Sequence, residues 1–187
     1  MKKEIEHRTR SGALDNVALA FSTWGVGYLP LAPGTWGSMV GVGIYLLLER
    51  LYVDFAGSAI GGSMSAVLFG AWALVGSLLV VFVLSAIGIW ASSRAIALLG
   101  NEDPSEVVVD EVIGQLIVFL FVPFGLGWPM IITGFLLFRL FDLWKPYPIN
   151  TMQALDGGLG ICVDDIAAGL YAGAALALVH AVVLTFG

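Results

Sequence analysis

The chain has 187 residues, of which 59% are hydrophobic and 12% charged, and its mean hydropathy is +0.94. That length bounds one domain, and with 24 glycines the composition fits a helical membrane protein rather than a water-soluble one. A net charge of −6 without a basic stripe excludes nucleic acid as an expected partner, and the single cysteine, Cys162, excludes both a disulfide framework and a cysteine-based metal cluster.

Residues 1–15 read as a basic N-terminal segment. Lys2, Lys3, Arg8 and Arg10 are half of the 8 basic residues, a positive-inside signal that places this end in the cytoplasm. Ser11-Gly12-Ala13 and Asp15 follow, in place of a short apolar core and cleavage site, so the head is expected to be retained. Residues 16–187 read as a single membrane-embedded domain. A spanning helix takes roughly 20 apolar residues, and charge is absent from Asn16 to Leu48, Phe55 to Ser93, Val112 to Phe138, and from Ile166 onward with His180 neutral. The expected fold is all-α and multi-pass, with about four to five membrane-embedded helices.

Gly25, Gly27, Pro30, Pro33, Gly34 and Gly37 break the first stretch into a short interfacial or re-entrant helix, Val17 to Trp24, and a span from near Ser38 to about Leu48. In the second, a glycine and serine opening over 57–65 precedes a long helix from Ala66 through Trp90 to about Leu99, and Asn101 to Ser105 has turn chemistry. Pro123, Gly125, Gly127 and Pro129 divide the third into about Val112–Val122 and Met130–Leu143. As a helical hairpin over about 112–143, these bring Asp110 and Glu111 next to Arg139, Asp142 and Lys145; as one kinked span they would leave acids and bases a bilayer apart. The count of basic residues favours the hairpin, because Arg94, Arg139 and Lys145 then share the N-terminal side and only Arg50 faces outward. The last helix runs from Asp165 to about Val183. Glycines four apart, at 37 and 41, 57 and 61, and 169 and 173, are expected to let helices approach closely.

Three charge clusters stand out in so apolar a chain, since ionisable groups in or beside a span are costly and mark function by default. Asp110-Glu111 and Asp164-Asp165 supply hard oxygen ligands suited to magnesium. Each pair is expected to open a helix, where the plain alternative is that acids complement the helix dipole. Arg139, Asp142 and Lys145, spaced by three, make either a phosphate clamp or a self-neutralising Arg139-Asp142 pair with Lys145 reaching for headgroups. Pro33-Gly34-Thr35-Trp36-Gly37-Ser38 offers backbone amides and two hydroxyls to an anion, or is an ordinary Pro-Gly turn; no lysine follows to make it a Walker loop. With only His7 and His180, no arginine six residues after Cys162 and no haloacid-type Asp-x-Asp pair, the chemistry left is metal-activated water or, second, attack by a carboxylate.

Four blocks then carry a family resemblance: Gly25-Val26-Gly27 through Ser38, Val109-Asp110-Glu111-Val112-Ile113-Gly114, Phe138-Arg139-Leu140-Phe141-Asp142-Leu143-Trp144-Lys145-Pro146-Tyr147-Pro148-Ile149, and Gly157-Gly158-Leu159-Gly160 through Asp164-Asp165-Ile166-Ala167-Ala168-Gly169. In this order they resemble phosphatidylglycerophosphatase A, over about residues 17–175. The resemblance implies removal of the terminal phosphate of phosphatidylglycerophosphate in phospholipid biosynthesis, with magnesium, at the bacterial inner membrane, from a site on the cytoplasmic face. The expected partners are therefore the phospholipid substrate and the bilayer, with a homo-oligomer left open. The expected assignment gives Asp110, Glu111, Asp164 and Asp165 to magnesium and Asp142 to a further ligand or the base. Arg139, Lys145, Gly34, Thr35 and Ser38 go to the phosphate. Family members carry histidine near 156 where this chain has Asp156, so that position receives no role. A reading from another class, an ion-coupled transporter or channel, requires charges distributed through the depth of the bilayer.

Overall fold

The computed structural model describes residues 9–61 and 64–186; Lys2, Lys3 and Arg8 of the basic head lie outside the described residues, as do the side chains of 58–61. Among the described residues seven α-helices follow in order: α1 (Ala13–Thr23), α2 (Pro33–Gly61), α3 (Ala66–Leu99), α4 (Val109–Val118), α5 (Trp128–Trp144), α6 (Ile149–Met152) and α7 (Gly157–Phe186), with single 3₁₀ turns at Val26–Tyr28 and Phe119–Phe121. No strand occurs among the described residues.

The short α4 is the centre of the bundle. Val109 and every residue from Val112 to Val118 are buried, as befits a helix apolar on all sides, and α7, α2 and α3 pack around it. Glycine makes these approaches possible. A Cβ on Gly169 would strike the carbonyl oxygen of Gly114, and one on Gly41 would lie 2.8 Å from the Gln115 Cβ. Gly173 meets the Phe121 ring in the same way, so the expected packing at 37, 41, 169 and 173 is found, whereas Gly57 faces open space and the surroundings of Gly61 lie outside the described residues.

The hairpin is present. Gly125 (φ 90°) and Gly127 (φ 76°) take left-handed backbone between α4 and α5, and the Gly125 N–H donates to Glu49 Oε1 at 2.7 Å. Tyr45 stacks on Phe119 (4.1 Å) and Tyr52 on Phe124 (4.9 Å), fixing the tip against α2. The open end of the hairpin returns to Gly34, where a Cβ would meet both the Glu111 carboxylate and Arg139 Nη1. Gly34 and Glu49 are 15 residues apart on α2, about 22 Å at the helical rise, against about 30 Å for the hydrocarbon core of a bilayer.

Several boundaries differ from expectation. α1 starts at Ala13, because Asp15 reaches back to accept from the Ser11 N–H (2.9 Å) and is buried against Arg94 Nε (2.6 Å). α2 does not stop near Leu48; Glu49 turns to the hairpin tip and Arg50 pairs with Asp54 (3.0 Å) one turn on, so the charges are absorbed without ending the helix. α7 starts at Gly157, eight residues before Asp165, which therefore sits two turns inside the helix rather than at its start. Two of its opening glycines are contact points: a Cβ on Gly158 would overlap the Ile89 carbonyl and one on Gly160 the Leu155 carbonyl, and the Gly158 N–H donates to Ser93 Oγ at 3.0 Å.

Of the expected spans, α3 and α7 are long and apolar enough to cross a membrane. Val67 and Phe82 on α3 are 84% and 71% exposed, a surface a bilayer would cover. The Arg94–Asp15 pair pins α1 to α3, and Asp15 is 1% exposed. Arg94→Ala is expected to lower stability by about 2 kcal/mol, less than the loss of a wholly buried partner because Ser11 stays on Asp15. Arg50→Ala, on an exposed pair, is expected to cost less than about 1 kcal/mol. Thermal unfolding in one detergent compares the two.

Candidate active site

The first turn of α4, the C-terminal ends of α3 and α5, and the second and third turns of α7 meet at one end of the bundle around a cavity of about 740 Å³. Asp110, Glu111, Asp142, Lys145, Asp164 and Asp165 all line it, with Pro33 and Gly34 at the start of α2. Because α4 begins at Val109, Asp110 and Glu111 lie in its first turn, as expected.

One carboxylate oxygen from each of Asp110, Glu111 and Asp165 falls within 4.8 Å of the other two. Asp110 Oδ1 and Glu111 Oε2 are buried and have no hydrogen-bond partner among the described residues. Buried oxygens without donors are costly, and three hard carboxylates converging on one point fit a divalent cation such as magnesium, which takes carboxylate and phosphate oxygens.

Asp164 stands apart from that trio. Neighbours on a helix diverge by about 100°, so where Asp165 faces α4, Asp164 faces the end of α5. Its Oδ2 accepts from Lys145 Nζ at 2.6 Å and from Gln153 Nε2 at 3.1 Å. Burial alone would lower the Lys145 pKa, but the Asp164 hydrogen bond and the nearby charges of Asp164, Asp165 and Asp142 outweigh it and hold the ammonium above its ordinary value. Lys145 is therefore a charged group at the cavity wall, not a side chain reaching out to headgroups.

Arg139 Nη1 lies 2.7 Å from Asp142 Oδ2, and Lys145 Nζ 3.9 Å from Asp142 Oδ1, so Asp142 bridges both cations. The same Nη1 atom makes no aligned hydrogen bond, and the guanidinium sits behind Gly34 and Glu111 rather than on the cavity wall. A Cβ at Gly34 would displace the Glu111 carboxylate from its present position, so glycine here lets that carboxylate and Arg139 close over the start of α2. The rest of the expected anion cradle is occupied internally: the Thr35 N–H donates to the Ala32 carbonyl (2.9 Å) and the buried Ser38 hydroxyl to the Gly34 carbonyl (2.9 Å).

Gln153 at the end of α6, and Glu102, Asp103 and Asp156 around the cavity, are neighbours that no motif marks. The stretches of α2, α4, α5 and α7 that run away from the cavity, 35–48, 112–118, 128–138 and 166–186, hold no Asp, Glu, Lys or Arg. Apart from Glu49, Arg50 and Asp54 of α2 at and beyond the hairpin tip, charge on these helices thus gathers at the cavity end instead of lining a path through the bundle.

Comparison with known proteins shows the family of the chain. The family model described as phosphatidylglycerophosphatase A matches residues 19–180. A protein of Bacteroides thetaiotaomicron, given the provisional name phosphatidylinositol-3-phosphatase, is 38% identical over 79% of this chain and 83% of its own length. Proteins named phosphatidylglycerophosphatase A from Haemophilus influenzae and Escherichia coli are each 31% identical; the first is matched over 85% of both chains, the second over 79% of this chain and 73% of its own. No solved structure matches the chain. Matched from α1 into α7, with the clustered acids and bases inside the matched region, the chain belongs to the phosphatidylglycerophosphatase A family.

Proposed function

We propose that the protein hydrolyses phosphatidylglycerophosphate to phosphatidylglycerol and inorganic phosphate, with magnesium, on the cytoplasmic face of a bacterial inner membrane, as a step of phospholipid biosynthesis. The observation that carries this is the meeting of three carboxylates with the Lys145 ammonium in one cavity, inside the region matched by the family. Asp110, Glu111 and Asp165 would hold the metal, which supplies Lewis-acid charge and a more acidic water.

Lys145 binds the phosphoryl group and offsets charge on its oxygens, and Arg139 adds positive field from behind Gly34. Asp142, bridged to both cations, fixes their spacing. In the reaction a water oxygen bonds to phosphorus as the bond from phosphorus to the glycerol oxygen breaks. The proton lost by the water passes to a carboxylate of the cluster and is returned to the glycerol oxygen, which leaves as the alcohol. The acyl chains stay in lipid, where exposed Leu143 and Trp144 border the Lys145 turn.

Phosphate release from detergent-solubilised phosphatidylglycerophosphate, phosphatidylinositol 3-phosphate and phosphatidic acid, with and without magnesium, tests this reading. Phosphatidylglycerophosphate is expected to be turned over fastest, with release abolished by a chelator and restored by magnesium. Absence of release from it, or release that ignores the chelator, overturns the proposal.

A further inference from the structure

Asp164 carries more hydrogen bonds than an ion pair needs. Its Oδ2 accepts from Lys145 Nζ (2.6 Å) and from the neutral amide of Gln153 (3.1 Å), and its Oδ1 accepts from the Asp165 N–H (3.1 Å). Asp164 is 4% exposed, so an oxygen stripped of donors there would be costly. Lys145 differs: its side chain is 26% exposed, borders the cavity and ends a flexible four-carbon stem. One of the two donors on Oδ2 can therefore leave while the other stays.

We propose that Gln153 is a positioning residue for the reaction, keeping the Asp164 carboxylate hydrogen-bonded while Lys145 turns from Asp164 to the phosphoryl group. This rests on the phosphatase reading above. A neutral donor suits the task, because a second cation would compete for the phosphate and an acid would tighten the hold on Lys145. Without Gln153, every substrate must take the ammonium from a carboxylate that has no other side-chain donor on Oδ2 among the described residues. Lys145 would meet the phosphate before and during the chemical step, so the loss falls on binding rather than turnover.

Steady-state kinetics with the preferred lipid phosphate, together with calorimetric titration of orthophosphate, both in magnesium, test this on Q153A and Q153E. Gln153 is exposed at the cavity wall, so neither change threatens the core. KM is expected to rise about fivefold in Q153A and further in Q153E, with kcat within about twofold and orthophosphate Kd weakened in step. In a D164N background Q153A is expected to add nothing, since the carboxylate it serves is gone. The proposal fails when KM and orthophosphate Kd of both variants stay within about twofold of the parent, or when the Q153A effect persists undiminished in D164N. Should the parent bind orthophosphate yet release none from any lipid, the phosphatase reading falls while the orthophosphate titrations still decide the role of Gln153.

Discussion

Asp165→Asn is expected to reduce magnesium-dependent phosphate release by about 10²- to 10³-fold, the usual loss on removing one preorganised electrostatic group, and to raise the magnesium concentration needed for half-maximal rate. Asp165 is 3% exposed, and one of its oxygens lies within 4.8 Å of oxygens from Asp110 and Glu111. Asparagine keeps the shape and one oxygen but removes a charge that the cluster needs only when a cation is present. Without magnesium the same change relieves repulsion among buried acids, so thermal stability in metal-free buffer is expected to hold or rise. A structural role would predict the reverse, a loss of stability with and without the metal. Full magnesium-dependent turnover by a folded Asp165→Asn protein would remove Asp165 from the site.

Gly169→Val is the second large effect, and it acts through packing. At this crossing α4 and α7 touch backbone to backbone: the added side chain would strike the Gly114 carbonyl oxygen and lie 3.1 Å from the Gly114 Cα. A helix backbone cannot move aside as a flexible side chain can, so α4 and α7 must separate, at a cost of about 1–3 kcal/mol or more. The crossing lies one turn from Asp165 and from Glu111, and separation draws apart the carboxylates that the two helices bring together. A lower melting temperature, a kcat/KM reduced about tenfold or more, and weaker magnesium activation are expected together. Gly57→Val, at a glycine with nothing within 4 Å, is expected to leave activity close to the parent's. Equal behaviour of the two variants would contradict the close-packed crossing.

Those effects trace to different depths of legibility in the sequence. The hairpin could be read from the break at Pro123, Gly125, Gly127 and Pro129, with the sidedness of the basic residues choosing it over one kinked span. The acids of α4 were legible for the same reason. The start of α7 was not: Gly157, Gly158 and Gly160 have the composition of a loop, and only the backbones of α3 and of Leu155 reveal Gly158 and Gly160 as contact glycines. Helical geometry told that Asp164 and Asp165 point apart but not which of them meets α4, since that depends on the rotation of α7 against its neighbours. The burial of Asp15, within the basic segment 1–15, is not legible either, because its partner Arg94 lies 79 positions away. The long α2 was cut short at Glu49 for the same kind of reason, its acid being satisfied by a backbone N–H on another element.

The burial of α4 on every side has a mechanical consequence. Two of the three clustered acids ride on a helix whose middle and end are sheathed by α2, α3 and α7, so the outward surface belongs to the sheath and not to the element that carries these acids. A bilayer thinner than a spanning helix is accommodated by tilt or kinking of that helix, and α3 and α7, the two helices long and apolar enough to span, both belong to the sheath. A shift of those outer helices reaches Asp110 and Glu111 through the contacts that α2, α3 and α7 make with α4, among them the close approaches at Gly37, Gly41, Gly88 and Gly169.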